Sequence, residues 1–363
     1  MKKHSIATTI LLTCASSAFA GGFELQKLDT SMMYGDGNQA SISRANINYS
    51  VEGLNPSVAG TNKKVVPNIS VTNFSAKFDY GESLSFGLGT YRSGAIQLIG
   101  GNTFGANLTP TADVDLNTTA LLARYNLNEN ISFLGGVTQN TLTSGNVATL
   151  LGTYQVTGTS EMGYFTGVAY SIPEIALRAE FVYQPKTKFA TTTAYTRSLV
   201  AIGAGIPGDD ANSATTLSLP DTMAINFQTG IAADTLLTAS YRKTSWGKAQ
   251  VKISAPAAVE TAFKDTSAYS LGIGRKFTDS LSGSITYAKE PGTGATSTSL
   301  FSVSDGSDAI SIGLQYKRDN MTISGGISQR NVGDMHVTDA TAGQMKYSGN
   351  TVTAMGLKIA FAF

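Results

Sequence analysis

The sequence is poor in the residues that carry most protein chemistry. Its 363 residues include one cysteine, one tryptophan and two histidines. Only 14% are charged, against roughly 25% in ordinary soluble domains. The lone cysteine, Cys14, falls in an N-terminal leader. The chain left after cleavage therefore has no thiol for catalysis, no disulfide and no cysteine metal ligand. Long apolar runs are missing too. Nothing beyond residue 20 approaches the 18 or so apolar residues of a helical membrane span.

The leader reads as a secretory signal over residues 1–20. Lys2, Lys3 and His4 make a basic start, Ile6 to Ala15 a short apolar core, and Ala18-Phe19-Ala20 a small-x-small cleavage site. Leu11-Leu12-Thr13-Cys14 is only loosely like a lipoprotein box, because Thr13 stands where a smaller residue is expected. Cleavage after Ala20 removes two of 26 basic residues and none of 25 acidic ones, leaving 24 against 25. Such a balance gives no electrostatic footprint for nucleic acid.

What is present is alternation. In the last segment Thr353, Met355, Leu357, Ile359, Phe361 and Phe363 share one parity, while Ala354, Gly356, Lys358, Ala360 and Ala362 share the other. Tyr269, Leu271 and Ile273 separate in the same way from Ser270, Gly272 and Gly274, as do Ile310, Ile312 and Leu314 from Ser311 and Gly313. Successive side chains point to opposite faces of a strand, so each segment has a bulky apolar face and a small or polar one. Segments of about ten such residues suit tilted membrane strands. A closed barrel pairs every backbone group, as lipid demands. The sequence predicts an all-β, antiparallel transmembrane β-barrel.

Tight turns are predicted at Tyr80-Gly81-Glu82, Asn128-Glu129-Asn130, Pro173-Glu174, Ala233-Asp234, Thr278-Asp279 and Arg318-Asp319-Asn320. Longer loops fall near 99–113, 144–157, 191–214, 253–262, 291–306 and 338–346. Short turns on one side and long loops on the other mark outer-membrane barrels. These marks delimit thirteen strands from Val65 onward. An even count requires fourteen, with residues 41–52 as a further strand, or twelve, with one segment reassigned as loop. Residues 21–60 are small, polar and without obvious alternation, and are assigned to a plug in the lumen. The barrel is given to 61–363.

At this point the residues resemble the FadL/TodX family of outer-membrane transporters for long-chain fatty acids and other hydrophobic compounds. Gly21-Gly22-Phe23-Glu24-Leu25 is similar to the mature N-terminus of that family, and Asn55-Pro56-Ser57 to its Asn-Pro-Ala hatch motif. Leu219-Pro220-Asp221, Thr244-Ser245-Trp246 and Phe263-Lys264-Asp265 follow in the family's order, and the chain ends on Phe363. One departure is the short distance from Gly60 to Val65, where the family has a strand and a loop.

The resemblance implies capture at external loops, an internal pocket closed by an N-terminal hatch and lateral release through an early strand. It places Phe23, Leu54, Asn55, Pro56 and Ser57 in the hatch. Phe23 and Leu25, with Leu98, Ile99, Phe104 and Leu108, are the expected ligand-binding side chains. Leu199, Ile202 and Ile206 supply apolar side chains in another loop. Gly87, Gly89 and Gly94 mark the strand expected to open, since glycine permits bends and bulges. Arg92, Arg124, Arg178 and Lys264 are candidate partners for a ligand carboxylate.

No cofactor or metal is expected. Passive transport is favoured, because the sequence holds no nucleotide loop. Expected partners are a long-chain fatty acid or similar ligand, the lipids and lipopolysaccharide of a Gram-negative outer membrane, and the barrel-assembly machinery reading the strand that ends at Phe363. A monomer is expected. Two rivals stand beside this reading. An enzyme would have to use His336 with Asp334 or Asp339, and no serine can be tied to it. A general porin or structural barrel, or an aromatic-hydrocarbon channel of the same fold, would keep the architecture and change the traffic.

Overall fold

A computed structural model describes residues 26, 28–56, 63–100, 109–339 and 343–363. The signal peptide, Phe23, Leu25, Ser57, Phe104 and Leu108 lie outside the described residues. Fourteen antiparallel strands form the wall: β1 (Gln39–Ser50), β2 (Ile69–Tyr80), β3 (Leu84–Ile99), β4 (Thr111–Asn126), β5 (Ile131–Leu142), β6 (Thr159–Ile172) and β7 (Leu177–Gln184), then β8 (Thr222–Ala232), β9 (Thr235–Thr244), β10 (Thr266–Lys276), β11 (Leu281–Glu290), β12 (Ser307–Arg318), β13 (Met321–Val332) and β14 (Asn350–Ala362). Each pairs with its predecessor. β1 closes the ring against β14, from Gln39 opposite Ala362 to Ser50 opposite Thr351.

The thirteen strands predicted from Val65 onward are all present, and the even count is reached by β1. The boundary set at residue 60 is thereby corrected, because Gln39–Ser50 is wall and not plug. The reason is inverted polarity over residues 44–49, although Ile42 below them faces outward in the usual way. On β1 the inward side carries Ile47 and Tyr49, both buried, while the outward side carries Arg44, Asn46 and Asn48, all exposed. A strand with its polar residues on the lipid side does not match the apolar-out template.

All six predicted tight turns join neighbouring strands at one end of the barrel. Ala176, Asp234 and Asp319 there adopt left-handed backbone (φ 52°, 55° and 52°) and Gly81 does the same at 64°. Asp tolerates this region better than most residues, and Gly reaches it without a Cβ penalty. The outward parity of the wall stays exposed, including Leu271, Ile285, Ile312, Leu314 and Leu357. These are the side chains that meet lipid.

The opposite end is built up into a second storey. The loop after β7 is a hairpin, Thr187–Arg197 with Asp210–Leu219, tipped by the short helix Leu199–Gly203. It pairs with a second hairpin, Gly145–Thr149 with Gly152–Val156. Trp246 and Phe263 meet edge to face with ring centroids 5.6 Å apart, and Tyr154 lies 5.1 Å from Tyr195. With Leu98, Leu116, Phe189, Phe301 and Tyr347 they form one continuous buried apolar cluster over the barrel mouth. In the loop before β12, Asp305 accepts hydrogen bonds from the backbone N–H groups of Thr293, Gly294 and Ala295 and from the Thr293 hydroxyl. One carboxylate thus staples the turn.

Candidate functional site

The interior has a polar lining and an occupant. Residues 28–38 run along the inner face of the wall toward β1, with a 3-10 turn at Ser31–Tyr34. Met32 and Met33 are buried against Leu122, Leu134, Phe165, Ala169 and Val182. Gly87 makes room for them: a Cβ there would lie 2.6 Å from Met33 Sδ and 2.8 Å from Met32 Cε. At this position the missing side chain leaves room for the two methionines of the N-terminal segment.

Charged groups fix the same segment. Arg124 donates to the Met33 carbonyl at 2.8 Å, and Lys77 to the carbonyls of Gly35 and Gly37 at 2.6 and 3.2 Å. The Tyr34 ring is sandwiched between two guanidinium groups, Arg124 at 4.4 Å and Arg178 at 4.0 Å from the centroid. Each such contact is worth about 0.5–2 kcal/mol, more when water is excluded. Glu180, buried on β7, accepts from the Thr30 hydroxyl and from Asn226, both at 2.7 Å. Arg124 and Arg178 are therefore engaged with the N-terminal segment.

Above this segment lies a cavity of about 50 Å³, bounded by Leu28 and Thr30 below and by Tyr91, Ser93, Val182, Leu219, Pro220, Ala224, Asn226 and Arg242 around it. Leu28, Tyr91, Val182, Leu219, Pro220 and Ala224 give it apolar surface, while Gln26, Gln184 and Thr222 also line it and the buried Arg242 is its charged member.

The wall beside the cavity is interrupted. The β2–β3 ladder runs from Tyr80 opposite Leu84 to Phe74 opposite Thr90 and stops. Above that point β2 stays paired with β1 at Ile69, and β3 stays paired with β4 as far as Ile99. On β3 the register shifts between Arg92 and Gly94, so Ser93 is an extra residue. Ser93, Gly94, Ala95 and Ile96 are then buried in succession. A wall strand normally buries alternate residues only. Here the strand keeps its ladder with β4 but is covered on both faces. Gly94 stands at this bulge. Gly89 sits below it in open surroundings, where a Cβ would meet only Phe74 O at 4.0 Å.

The remaining predicted residues disperse. Leu98 is 2% exposed, inside the outer apolar cluster, while Ile99 is 46% exposed on the other face. Leu54, Asn55 and Pro56 follow β1 at the loop end, where Leu54 pairs with Lys346. They lie apart from the interior segment at 28–38. Leu199 and Ile202 project from the helix at the hairpin tip, and Ile206 is half-buried. Arg92 forms an ion pair with Asp115, and Lys264 donates to the carbonyls of Thr293 and Thr296. His336 is exposed on a short strand opposite Lys346.

Tyr34, Glu180, Asn226 and Arg242 are not singled out by the sequence. Glu180 and Arg242 both sit on the inward parity of their strands, where charge is ordinary in a polar lumen, so the sequence gives no signal that separates them from other lumen charges.

No protein-family model and no curated protein matches the chain. Solved structures do match. A FadL homologue of Pseudomonas aeruginosa aligns over 92% of both chains with a TM-score of 0.75 and 13% identity. The toluene transporter TodX of Pseudomonas putida aligns over 92% of this chain and 91% of its own, at 0.65 and 12%. The monoaromatic hydrocarbon channel CymD aligns over 92% and 90%, at 0.62 and 13%. The fold of this chain is the FadL fold.

Proposed function

We infer that this barrel is a passive channel of the Gram-negative outer membrane for hydrophobic molecules, with long-chain fatty acids as the substrate class. The observation that carries the reading is the coincidence at β3. A largely apolar cavity, floored by Leu28 and Thr30, adjoins the stretch where β3 leaves its ladder with β2. A hydrophobic solute entering from the outer storey gains about 0.8 kcal/mol for each methylene removed from water. Movement of residues 28–38 enlarges its pocket, and the β2–β3 interruption offers a way out sideways into the membrane. Phe23 and Leu25 complete the hatch, and Gly94 with the bulge at Ser93 forms the exit.

The fold neighbours support this class of traffic, since they are transporters and channels for hydrophobic or aromatic compounds by their descriptions. Palmitate and toluene are the two ligand chemistries to separate, because the buried Arg242 at the cavity already has the buried carboxylate of Glu290 as a charge neighbour. The test is equilibrium binding of palmitate and of toluene to the refolded mature barrel, wild type against Phe23→Ala and Leu28→Ala. Saturable palmitate binding, weakened in both variants, is the expected result. Toluene binding alone would move the substrate class, and binding of neither would leave a porin-like or structural barrel.

A further inference from the structure

The outer surface of β1 and β2 is the wrong kind of surface for lipid. Arg44 is the sixth residue of the twelve-residue β1, on the outward parity, and it is exposed. Its cross-strand neighbours are Thr72 on β2 and Leu357 on β14. Other charged side chains on the outward parity stand at strand ends, as Lys243, Arg275, Lys289 and Arg318 do, or are neutralised, as Arg92 is by Asp115. Arg44 forms no ion pair among the described residues. An uncompensated arginine at mid-strand on the lipid side is costly. A water-exposed loop would carry it without comment; a membrane strand keeps it only with a partner.

The surroundings point to what that partner is. Asn46, Asn48, Ser70 and Thr72 are exposed beside Arg44, with the Ser70 hydroxyl donating to Asn46 Oδ1 at 2.6 Å. They are uncharged hydrogen-bonding groups around one cation, a set that complements an anion. The same stretch of β2, residues 69–73, has lost its ladder with β3. At the inner lip of that interruption Asn73 Oδ1 is buried without a hydrogen-bond partner. A polar track thus leads from the interior, past Asn73 and Thr72, to Arg44 on the outside.

We propose that Arg44, with Asn46, Ser70 and Thr72, is a receiving site on the outer wall for the anionic head group of an acyl-chain amphiphile. The acyl chain lies in the membrane against the neighbouring apolar wall, and the head group rests on the guanidinium at the mouth of the β2–β3 gap. The anion is supplied either by a carboxylate leaving the channel or by a resident anionic lipid; the head-group chemistry is shared. The proposal rests on the channel reading for the first source but not for the second.

The test uses the full mature barrel in phosphatidylcholine nanodiscs with a photoreactive palmitate and its methyl ester, followed by peptide mapping of the crosslinks. Labelling of residues 44–48 and 70–74 is expected to be about tenfold stronger for the acid than for the ester, the scale of one charge-assisted hydrogen bond. Arg44→Gln should bring the acid down to the ester level, and Arg44→Lys should keep most of the labelling. Excess phosphatidylglycerol that leaves the labelling intact identifies a departing carboxylate, whereas displacement identifies a resident head group; either result supports the site. Equal labelling by acid and ester, or no effect of Arg44→Gln, overturns it. Crosslinks at Tyr91 and Val182 report the interior separately. Their absence counts against the channel, and their presence with an Arg44-independent outer wall counts against this site alone.

Discussion

At Gly87 the size of the side chain decides whether the N-terminal segment can lie where it does. The nearest atoms are the ends of two flexible methionine side chains, so Gly87→Ala should be absorbed by small rotations. A branched side chain cannot be absorbed in this way, since overpacking costs about 1–3 kcal/mol. Gly87→Ile is expected to push residues 28–38 off the wall and raise ion leakage in planar bilayers, with Gly87→Ala close to wild type. Equal conductance in all three would mean that the segment does not obstruct the pore. At Asp305 the deciding forces are electrostatic. Burial pushes its carboxyl up, but the N–H groups of Thr293 and Ala295, the Thr293 hydroxyl and the Gly294 N–H outweigh burial and hold it below the ordinary carboxylate range. A depressed carboxylate stabilises the fold above its unfolded-state value and loses that contribution as pH falls through the lower folded value. Asp305→Asn should therefore speed amide exchange at residues 293–295 at neutral pH, by about tenfold if the lost bonds are worth about 1–3 kcal/mol. The ratio of variant to wild type should shrink toward one in strong acid. None of this is readable from the chain, because which carboxylate meets which loop is a matter of folded geometry.

A strand is legible when its two faces meet different solvents in the expected order. β10, β12 and β14 put bulky apolar residues outward and small ones inward, and their alternation locates them to within a residue or two. On such a strand Ile312→Arg should cost about 2–4 kcal/mol in denaturant unfolding from bilayers, while Ser311→Arg, on the inward parity, should cost less. β1 reverses the order over residues 44–49 and so reads as plug. β3 hides its break differently. The extra residue at Ser93 leaves the composition unremarkable and changes only the register. Deleting Ser93 should restore an uninterrupted alternation, extend the β2–β3 ladder upward and slow uptake of palmitate by whole cells. Unchanged uptake would separate the bulge from release. The glycines on this strand are visible in the sequence, but their jobs differ: Gly87 admits the methionines, and Gly94 stands at the bulge.

The molecule as a whole consists of an apolar storey over a polar-lined cylinder whose lower part is occupied by its own N-terminal segment. Its ends meet at the β14–β1 seam, where the Phe363 N–H donates to Asn38 O at 3.1 Å and its ring packs 5.8 Å from Phe78. Removing Phe363 should reduce the folded, heat-modifiable species on gels, and a normal yield would show that the seam closes without it. The seam joins residues near the two ends of the chain, so it is the pairing of greatest sequence separation. Such contacts form late, after the cost of closing a long loop has been met. Residues 28–38 lead directly into β1 and lie inside the ring that β1 completes. They must therefore already be within the half-formed cylinder when the last two strands zip together. Closure is then also an act of enclosure, and the order of assembly, more than the strength of any one contact, explains how the segment comes to be inside.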